Sequence, residues 1–229
     1  MQSDIPKVLH PLCGKSLIEH VVDSLKLAGV DDIVVVVGYK GDEVIDRLGS
    51  RVNYVWQYEQ LGTGHAVMQA EEYFKNYYGD IIVASGDVPL IRPETLKNFI
   101  ALADEKTGAA VLTMIQDNPT GYGRIVKENN RFARIVEEKD ADDEIRNIKE
   151  VNSGTYLFKS RYLFEGLKRI NTENAQGEYY LPDVLNYILD VGLNVEAFLL
   201  SNSIEGMGIN TREELLSLEQ YVAMKEGLN

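Results

Sequence analysis

The chain has 229 residues, of which 45% are hydrophobic and 26% charged, and its formal net charge is −13. This length and composition predict one large globular domain, or one domain with an appended lobe. The sequence contains no apolar run of about 18 residues, so a membrane-spanning helix is not expected. The acidic balance argues against a nucleic-acid partner, but a small phosphorylated substrate can still bind through a metal ion and a few local cations.

The single cysteine, Cys13, cannot form an internal disulfide, which predicts a reducing, cytoplasmic setting. Met1 is followed by polar residues and not by a basic and then apolar stretch, so we expect no signal peptide.

Helical and strand-like apolar patterns alternate along the first half of the chain. Apolar residues recur at helical spacing from Leu17 to Ala28, and Gly29 is placed to end that helix. The β-branched run 33–37 predicts a strand buried on both faces. The next predicted elements are a helix over 42–48, a strand over 52–56, a helix over 63–73, a strand over 80–85, a helix opened by Pro93 and a strand over 109–115.

Beyond Ile115 the pattern changes to two short polar segments, 121–127 and 131–138, which predict a hairpin or small lobe. A strand over 151–158, a helix over 179–191 and a strand over 194–200 follow. Thr211 and Glu214 form a capping box that opens a last helix. The whole pattern predicts an α/β, Rossmann-like fold whose mostly parallel sheet is flanked by helices.

Asp87 lies in the segment Ser85-Gly86-Asp87, directly after a predicted buried strand. Ligands of open α/β sheets bind at the carboxyl ends of strands, where a carboxylate can hold a divalent cation. Asp87 before Val-Pro also suits a simple turn, and the motif alone leaves both interpretations open.

Three further segments can bind a ligand or be ordinary loops. Gly62-Thr63-Gly64 lies between a strand and a helix, where free amides can meet a phosphate or Thr63 can cap the helix. The loops 118–125 and 174–180 are rich in groups that could bind sugar hydroxyls. The histidines lack metal-ligand spacing, so His10 and His20 are interpreted as structural, and no hydrolase or zinc motif is present.

Taken in order, these motifs resemble the uridylyltransferase domain of the bacterial bifunctional N-acetylglucosamine-1-phosphate uridylyltransferases. The matching stretches are SDIPKVLHPLCGKSLIEHV, EQLGTGHAV, SGDVPLI, NPTGYGRIV, IVEEKDA, VNSGTYLF, NAQGEYYLPDV and GINTREEL. The resemblance implies one nucleotidyltransferase domain over 1–229, with a β-rich sugar-binding lobe over about 116–150 and 174–183. The helix from about 211 would lead toward a further domain.

The resemblance also implies a role for particular residues. Lys7 and Asp87 would be catalytic, and Asp87 and Asn210 would share a Mg²⁺ ion. Substrates would be bound by Lys7, Gln57, Gly62, Thr63, Ser85, Gly86, Gly123, Glu137, Asn152, Tyr180 and Asn210. Among these, Gln57, Gly62 and Thr63 would recognise the uracil side, and Gly123, Glu137, Asn152 and Tyr180 would line the sugar pocket.

The implied reaction transfers a uridylyl group from UTP to N-acetylglucosamine-1-phosphate and releases pyrophosphate. The attacking phosphate is already ionised, so positioning and charge neutralisation suffice without a general base. We expect no nucleic-acid or membrane partner, and a homo-oligomer only where the C-terminal acetyltransferase domain of the family is attached.

Two departures from the family pattern affect this expectation. Family members open with a buried strand and a glycine-rich phosphate loop, and Met1 aligns with the last residue of that loop. We therefore expect the chain by itself to be severely impaired, with unpaired edges on neighbouring strands. The acetyltransferase domain of the family is also not part of the sequence.

Two alternatives to this function stay open. The chain could act on another sugar phosphate, such as glucose-1-phosphate, or it could be a non-catalytic domain that binds nucleotide sugars. Turnover of the two sugar phosphates separates the first alternative, and binding of UTP or UDP-N-acetylglucosamine with and without Mg²⁺ separates the second.

Overall fold

The structure is a computed structural model that describes residues 4–226. Its strands are β1 (Pro11–Leu12), β2 (Lys15–Ser16), β3 (Val34–Val37), β4 (Asn53–Trp56), β5 (Asp80–Val83), β6 (Thr107–Ile115), β7 (Arg124–Glu128), β8 (Arg131–Val136), β9 (Glu150–Lys159) and β10 (Asn194–Leu199). Its helices are α1 (Leu17–Ala28), α2 (Gly41–Leu48), α3 (Thr63–Met68), α4 (Glu71–Phe74), α5 (Pro93–Ile100), α6 (Asp143–Arg146), α7 (Ser160–Leu167), α8 (Asp183–Asp190) and α9 (Arg212–Glu226). None of the helices over 4–226 combines the length and apolarity needed to cross a bilayer.

Local sequence signals set the ends of several helices as predicted. Gly29 ends α1 in the left-handed conformation, with φ of 95°, which glycine adopts without steric cost. Pro93 occupies the first turn of α5. At the start of α9, the Glu214 carboxylate accepts from the Thr211 N–H at 2.9 Å, and the Glu214 N–H donates to the Thr211 hydroxyl at 3.1 Å. The predicted capping box is confirmed.

The main sheet has the strand order β10-β6-β9-β7-β8, and β5 also pairs with β9. Strand β9 runs antiparallel to β5, β6 and β7, whereas β10 is parallel to β6. Strands β3 and β4 form a separate parallel pair. The α/β class with flanking helices is confirmed, but the sheet is mixed and not mostly parallel, because β9 returns between two strands of the opposite direction.

Two apolar cores lie on opposite faces of this sheet. Side chains alternate across β6, so Ala110, Leu112 and Met114 pack with α1, α2 and α5, whereas Ala109 and Val111 pack with α7 and α8. This alternation explains why β6 reads as a continuous apolar run, since both of its faces are covered.

A third apolar cluster joins the two ends of the described chain. Leu12 and Leu17 pack against Ile209 and against Leu215 and Leu218 of α9. The segments before α1 and before α9 are therefore held side by side, although about two hundred residues separate them in sequence.

A cavity of about 890 Å³ separates β3 from β5. It is lined by both strands, by Val21, Val22 and Leu25 of α1, and by Ala66 and Val67 of α3. Within residues 4–226, β3 pairs only with β4, and β5 pairs only with β9, so the edges that these strands turn toward the cavity are unpaired. This agrees with the unpaired edges expected from the sequence.

Four local expectations differ from the structure. Val34, Val35 and Val36 are only partly buried, and not buried on both faces, because they line the cavity. The helix predicted over 63–73 is divided into α3 and α4. The helix predicted from 179 begins at Asp183, after a turn through Pro182. The sequence reading also missed α7, which starts directly after β9 without a glycine or proline between them.

Candidate active site

Lys7, Asp87 and Asn210 meet at one point. The Lys7 ammonium forms an ion pair with Asp87 Oδ2 and donates to Asn210 Oδ1 at 2.9 Å. Because both oxygens contact the same nitrogen, they lie less than two hydrogen-bond lengths apart. The predicted convergence of Asp87 and Asn210 is found in the structure, and their role in metal binding stays a prediction.

These three side chains come from different parts of the chain. Asp87 follows β5, Asn210 precedes α9, and Lys7 lies in a short 3₁₀ helix, Lys7–Leu9. The Ile209 N–H donates to the Asp87 carbonyl at 3.0 Å, which fixes the neighbouring Asn210 beside the end of β5. The third apolar cluster, described above, packs the chain that follows Lys7 against the chain around Asn210.

Glu205 anchors the chain that leads to Asn210. Its carboxylate is 2% exposed and accepts from Arg92 Nε at 2.8 Å and from the Thr95 hydroxyl at 2.5 Å, both at the start of α5. Gly206 beside it packs closely, since an added Cβ would lie 2.8 Å from Leu200 Cδ1 and 3.1 Å from Ser153 Cβ and would require its neighbours to shift. Buried ionic bonding thus fixes the segment before Asn210.

Gln57, Gly62 and Thr63 form one cluster at the end of β4. Gln57 Nε2 donates to the Gly62 carbonyl at 3.2 Å and lies 3.1 Å from His65 Nδ1. Gly62 has φ of 106°, and a Cβ there would lie 2.7 Å from the Tyr179 carbonyl oxygen. This glycine is therefore required by contact with the chain at Tyr179. Its part in recognising uracil stays a prediction.

The hydroxyl of Thr63 accepts from the Leu181 N–H at 3.1 Å. The Gly64 N–H donates to the Tyr179 carbonyl, and the Tyr179 N–H donates to the Leu61 carbonyl, both at 2.8 Å. The loop that follows β4 is thereby joined to the loop 174–181.

Ser85 and Gly86 lie at the rim of the cavity, directly after β5. The Ser85 hydroxyl donates to the Gly154 carbonyl at 3.3 Å, and a Cβ on Gly86 would lie 3.3 Å from Val8 Cγ1. The segment therefore runs between β9 and the chain beside Lys7.

Gly123, Glu137 and Asn152 face one another in the second part of the site. A Cβ on Gly123 would lie 3.0 Å from Glu137 Oε1, so only glycine leaves the carboxylate its present position. The Asn152 N–H donates to the Gly123 carbonyl at 2.9 Å. Glu137 and Asn152 line the same cavity as Ser85 and Gly86, which connects this part of the site to the end of β5.

The amide of Asn152 is oriented by its neighbours. Its Nδ2 donates to the hydroxyl of the buried Tyr156 at 2.5 Å, and its Oδ1 accepts from the Gly154 N–H at 2.9 Å. Tyr180 is 8% exposed, and its hydroxyl donates to Asp140 Oδ2 at 3.2 Å and accepts from Gln176 Nε2 at 2.8 Å. Tyr180 thus links the loop 174–181 to the chain after β8.

Burial raises the pKa of Glu137 from its ordinary 4.5 to about 7, and the nearby carboxylates of Asp183 and Asp140 add to the rise. The positive charge of Arg124 acts in the opposite direction. Burial, followed by Asp140, also raises the pKa of Asp183. The carboxyl group of Glu137 therefore changes charge near neutral pH.

This shift predicts a pH-dependent stability that Glu137→Gln removes. The native pKa lies above the unfolded value, so the folded protein binds more protons between pH 4.5 and about 7, and its stability falls as the pH rises through that window. Above pH 7 the Gln variant should be more stable by about 1–3 kcal/mol. Urea unfolding at pH 5 and pH 8 measures this, with exposed Glu144→Gln as the control. Parallel pH dependence of the wild type and the Glu137 variant would contradict it.

The sequence reading missed three residues that organise the site. Tyr122 is partly buried and hydrogen-bonds to the Gly208 backbone, so the loop 119–123 reaches the chain beside Asn210. Asp140 accepts from the Ala175 N–H at 2.8 Å as well as from Tyr180. Arg124 is 1% exposed. Tyr122 and Arg124 stand in NPTGYGRIV and Asp140 in IVEEKDA, so the motifs alone could have indicated them.

The two histidines interpreted as structural differ in their surroundings. His20 Nε2 lies 2.8 Å from the Leu12 carbonyl oxygen, which satisfies the ring. His10 Nε2 is buried without a hydrogen-bond partner in the described part of the chain, and the interpretation of His10 as structural stays a prediction.

The residues around Lys7 fit a cation. Residues 4–226 contain no group of three or more His, Cys, Asp or Glu side chains that could enclose a metal ion. The Asp87 carboxylate and the Asn210 amide oxygen instead hold the positively charged Lys7 ammonium between them. Carboxylate and amide oxygens are hard ligands of the type that Mg²⁺ takes, one or two at a time, beside substrate phosphates and water.

Comparison with known proteins agrees with this geometry. Residues 2–204 match the family described as "Nucleotidyl transferase". The chain belongs to this family. Members of the family typically use a divalent metal ion, which is consistent with the pair of oxygens around Lys7.

The relatives include the bifunctional protein GlmU of Oceanobacillus iheyensis, 45% identical over 232 residues, which cover 100% of this chain and 50% of the relative. The bifunctional protein GlmU of Streptococcus sanguinis is 47% identical over 224 residues, which cover 97% of this chain and 49% of the relative. The chain thus spans about half the length of these curated relatives.

The fold is similar to that of a UDP-glucose pyrophosphorylase crystallised with UDP-glucose. The TM-score is 0.77 at 20% sequence identity, and the match covers 96% of this chain and 91% of the other. At this identity the likeness shows a shared nucleotidyltransferase fold.

Proposed function

We propose that this nucleotidyl transferase transfers a uridylyl group from UTP to N-acetylglucosamine-1-phosphate. The observation that carries the proposal is the meeting of Lys7, Asp87 and Asn210 at the end of β5, next to Ser85 and Gly86, which line the same cavity as Glu137 and Asn152. A nucleotide triphosphate and a sugar phosphate need two such adjoining subsites. The 45% identity to the GlmU of O. iheyensis supports the same activity.

The two substrates would react without an acid–base residue. An oxygen of the sugar phosphate is ionised at neutral pH and attacks the α-phosphorus of UTP, and the bond to pyrophosphate breaks on the opposite side. Lys7 would neutralise phosphate oxygens with its ammonium group. Its present partners, Asp87 and Asn210, keep that group at the end of β5. The work left to the protein is positioning and charge neutralisation.

Asp87 and Asn210 would hold a Mg²⁺ ion. When bound, such an ion neutralises charge on the phosphate oxygens of the nucleotide. Lys7 would then turn from Asp87 toward a phosphate, since both cations cannot occupy the same pair of oxygens.

The remaining residues would bind the two ends of the substrates. Gln57, Gly62 and Thr63, joined to one another at the end of β4, would recognise the uracil side. Gly123, Glu137, Asn152 and Tyr180 would line the sugar pocket. In support, Glu137 and Asn152 line the cavity, where polar side chains can pair with sugar hydroxyl and acetamido groups.

Calorimetry of UTP and UDP-N-acetylglucosamine, with and without Mg²⁺, tests the proposal on the chain. Binding of both ligands, strengthened by Mg²⁺, would support it, and no binding of either by the chain or by one extended upstream would overturn it. Pyrophosphate release with N-acetylglucosamine-1-phosphate and with glucose-1-phosphate then identifies the sugar, for the chain alone and for one extended upstream. Preference for glucose-1-phosphate would favour the first alternative. Binding without turnover in the extended chain would favour the second.

Glu137→Ala should weaken binding of UDP-N-acetylglucosamine about tenfold and leave UTP binding unchanged, because only the sugar meets this carboxyl group. Calorimetry of the two ligands measures the difference. Glu144→Ala, on the exposed face of α6, is the matched control. Equal losses for UTP and for the nucleotide sugar would count against a sugar-specific role.

A further inference from the structure

Arg124 is the largest of the fully buried side chains, at 1% exposure. Burying a guanidinium costs several kcal/mol unless its hydrogen bonds are replaced. A buried ion pair can often be exchanged for apolar side chains of similar volume without loss of stability. The stability of the fold alone therefore does not explain an arginine at this position.

The hydrogen bonds of Arg124 join three segments of chain. Its guanidinium donates to the Tyr122 carbonyl, to Glu138 Oε2 at 2.6 Å and to the Arg146 carbonyl at 3.4 Å. The same Glu138 oxygen accepts from the Gly121 N–H at 3.2 Å. Arg124 and Glu138 together tie the loop before β7 to the chain after β8.

We call the bonded pair Arg124 and Glu138 the clamp. It most directly fixes the residue that precedes each of them in the sequence, Gly123 before Arg124 and Glu137 before Glu138. Arg124 also stands at the first position of β7, where it is opposite Val136 on one side and Val151 on the other. Its position therefore sets the spacing between Gly123, Glu137 and Asn152, although its own side chain is not among those that line the cavity.

We propose that Arg124, through its bonds to Glu138 and Tyr122, is the positioning residue that holds Gly123 and Glu137 in register to receive the sugar. This inference rests on the proposed function, since it concerns the sugar pocket of that site. Arg124 acts on the sugar only through these two residues.

The charge of Arg124 has a second effect on the pocket. Glu137 faces the acidic side chains of Asp183, Asp140 and Glu178 and the hydroxyl of Tyr156, and Arg124 is the cation that opposes them. Removing that positive charge should raise the pKa of Glu137 further. Sugar binding that depends on the Glu137 carboxylate should then require a higher pH.

The test compares UDP-N-acetylglucosamine with UDP, which lacks the sugar, as ligands in calorimetry with Mg²⁺. Arg124→Met removes the charge and the hydrogen bonds, and Arg124→Lys keeps the charge. Glu138→Ala removes the partner of Arg124, whose side chain is partly exposed. Arg134→Met is the matched control, because Arg134 lies on the same hairpin in an exposed pair with Glu128. Circular dichroism melting establishes that each variant is folded.

The expected result is an about tenfold loss of affinity for UDP-N-acetylglucosamine in all three clamp variants, with UDP affinity unchanged. The midpoint of the pH dependence of UDP-N-acetylglucosamine binding should move to higher pH in Arg124→Met and should not change in Arg124→Lys. Arg134→Met should behave as wild type.

Two results would overturn the inference. In the first, the wild type binds the nucleotide sugar more tightly than UDP, and the clamp variants show the same preference. Arg124 then does not position the pocket, and the proposed function is untouched. If the wild type itself does not distinguish the nucleotide sugar from UDP, the sugar pocket of the proposed function fails, and the role of Arg124 fails with it.

Discussion

Exchanging Asp87 for asparagine should remove the strengthening of UTP binding by Mg²⁺, a loss of about 10- to 10²-fold, which is the usual cost of removing one charged partner. The carboxylate is the one anionic side chain of the pair that holds the Lys7 ammonium, so its exchange for an amide leaves this pair without a negative charge to hold a divalent cation. Without metal, the variant should bind UTP at least as tightly as wild type, because Lys7 loses an ion-pair partner and becomes available to phosphate.

Calorimetry of UTP with Mg²⁺ and with a chelator measures both effects. The opposite signs separate loss of a metal ligand from general damage to the site, which would weaken binding in both conditions. Asp46→Asn, an exposed position on α2, is the control and should leave both values unchanged. An undiminished response to Mg²⁺ in the Asp87 variant would mean that this carboxylate does not hold the ion.

Removing the side chain of Arg92 should destabilise the protein by about 3 kcal/mol. The loss leaves the Glu205 carboxylate, 2% exposed, with the Thr95 hydroxyl and the Arg92 N–H as its remaining partners. The reverse change, Glu205→Gln, should cost less, because the Arg92 side chain is 55% exposed and its charge can be hydrated. The structure thus predicts unequal effects for the two partners of one ion pair.

Urea unfolding of Arg92→Ala and Glu205→Gln gives the two free energies. Arg161→Ala is the matched control, because its pair with Glu165 spans one turn of α7 and its side chain is 70% exposed. Its expected cost is about 0.3–0.5 kcal/mol. If Arg92→Ala costs no more than this control, Glu205 is not held by the guanidinium.

Much of the secondary structure could be predicted because its signals are local. The apolar spacing of α1, the glycine after it and the capping box of α9 each depend on residues within a few positions of one another. The direction of β9 could not be predicted in this way. A strand covered on both faces has the same apolar composition whether its neighbours are parallel or antiparallel.

The candidate site was predicted from the family resemblance, because the motif around Asp87 alone left a metal ligand and a simple turn both open. Asp87 and Asn210 were expected to meet from motifs far apart in the sequence, and the structure places them on the same lysine. Arg124 was not among the expected site residues, although it stands in one of the matching motifs, because arginine is rarely buried. What buries it is Glu138, across the hairpin, and pairing across a hairpin depends on register rather than on composition.

The pair β3–β4 and the main sheet are two parts of the fold that no strand pairing joins within residues 4–226, and we expect them to respond differently to temperature. Strands within each part are joined by main-chain hydrogen bonds, whereas α1 and α5 connect the parts through apolar contacts such as those of Val22 and Phe99. Hydrophobic attraction weakens on cooling. The apolar contacts between the two parts should therefore weaken as the temperature falls toward freezing, whereas the main-chain hydrogen bonds within each part remain. On cooling, the two parts should separate from each other before either part unfolds.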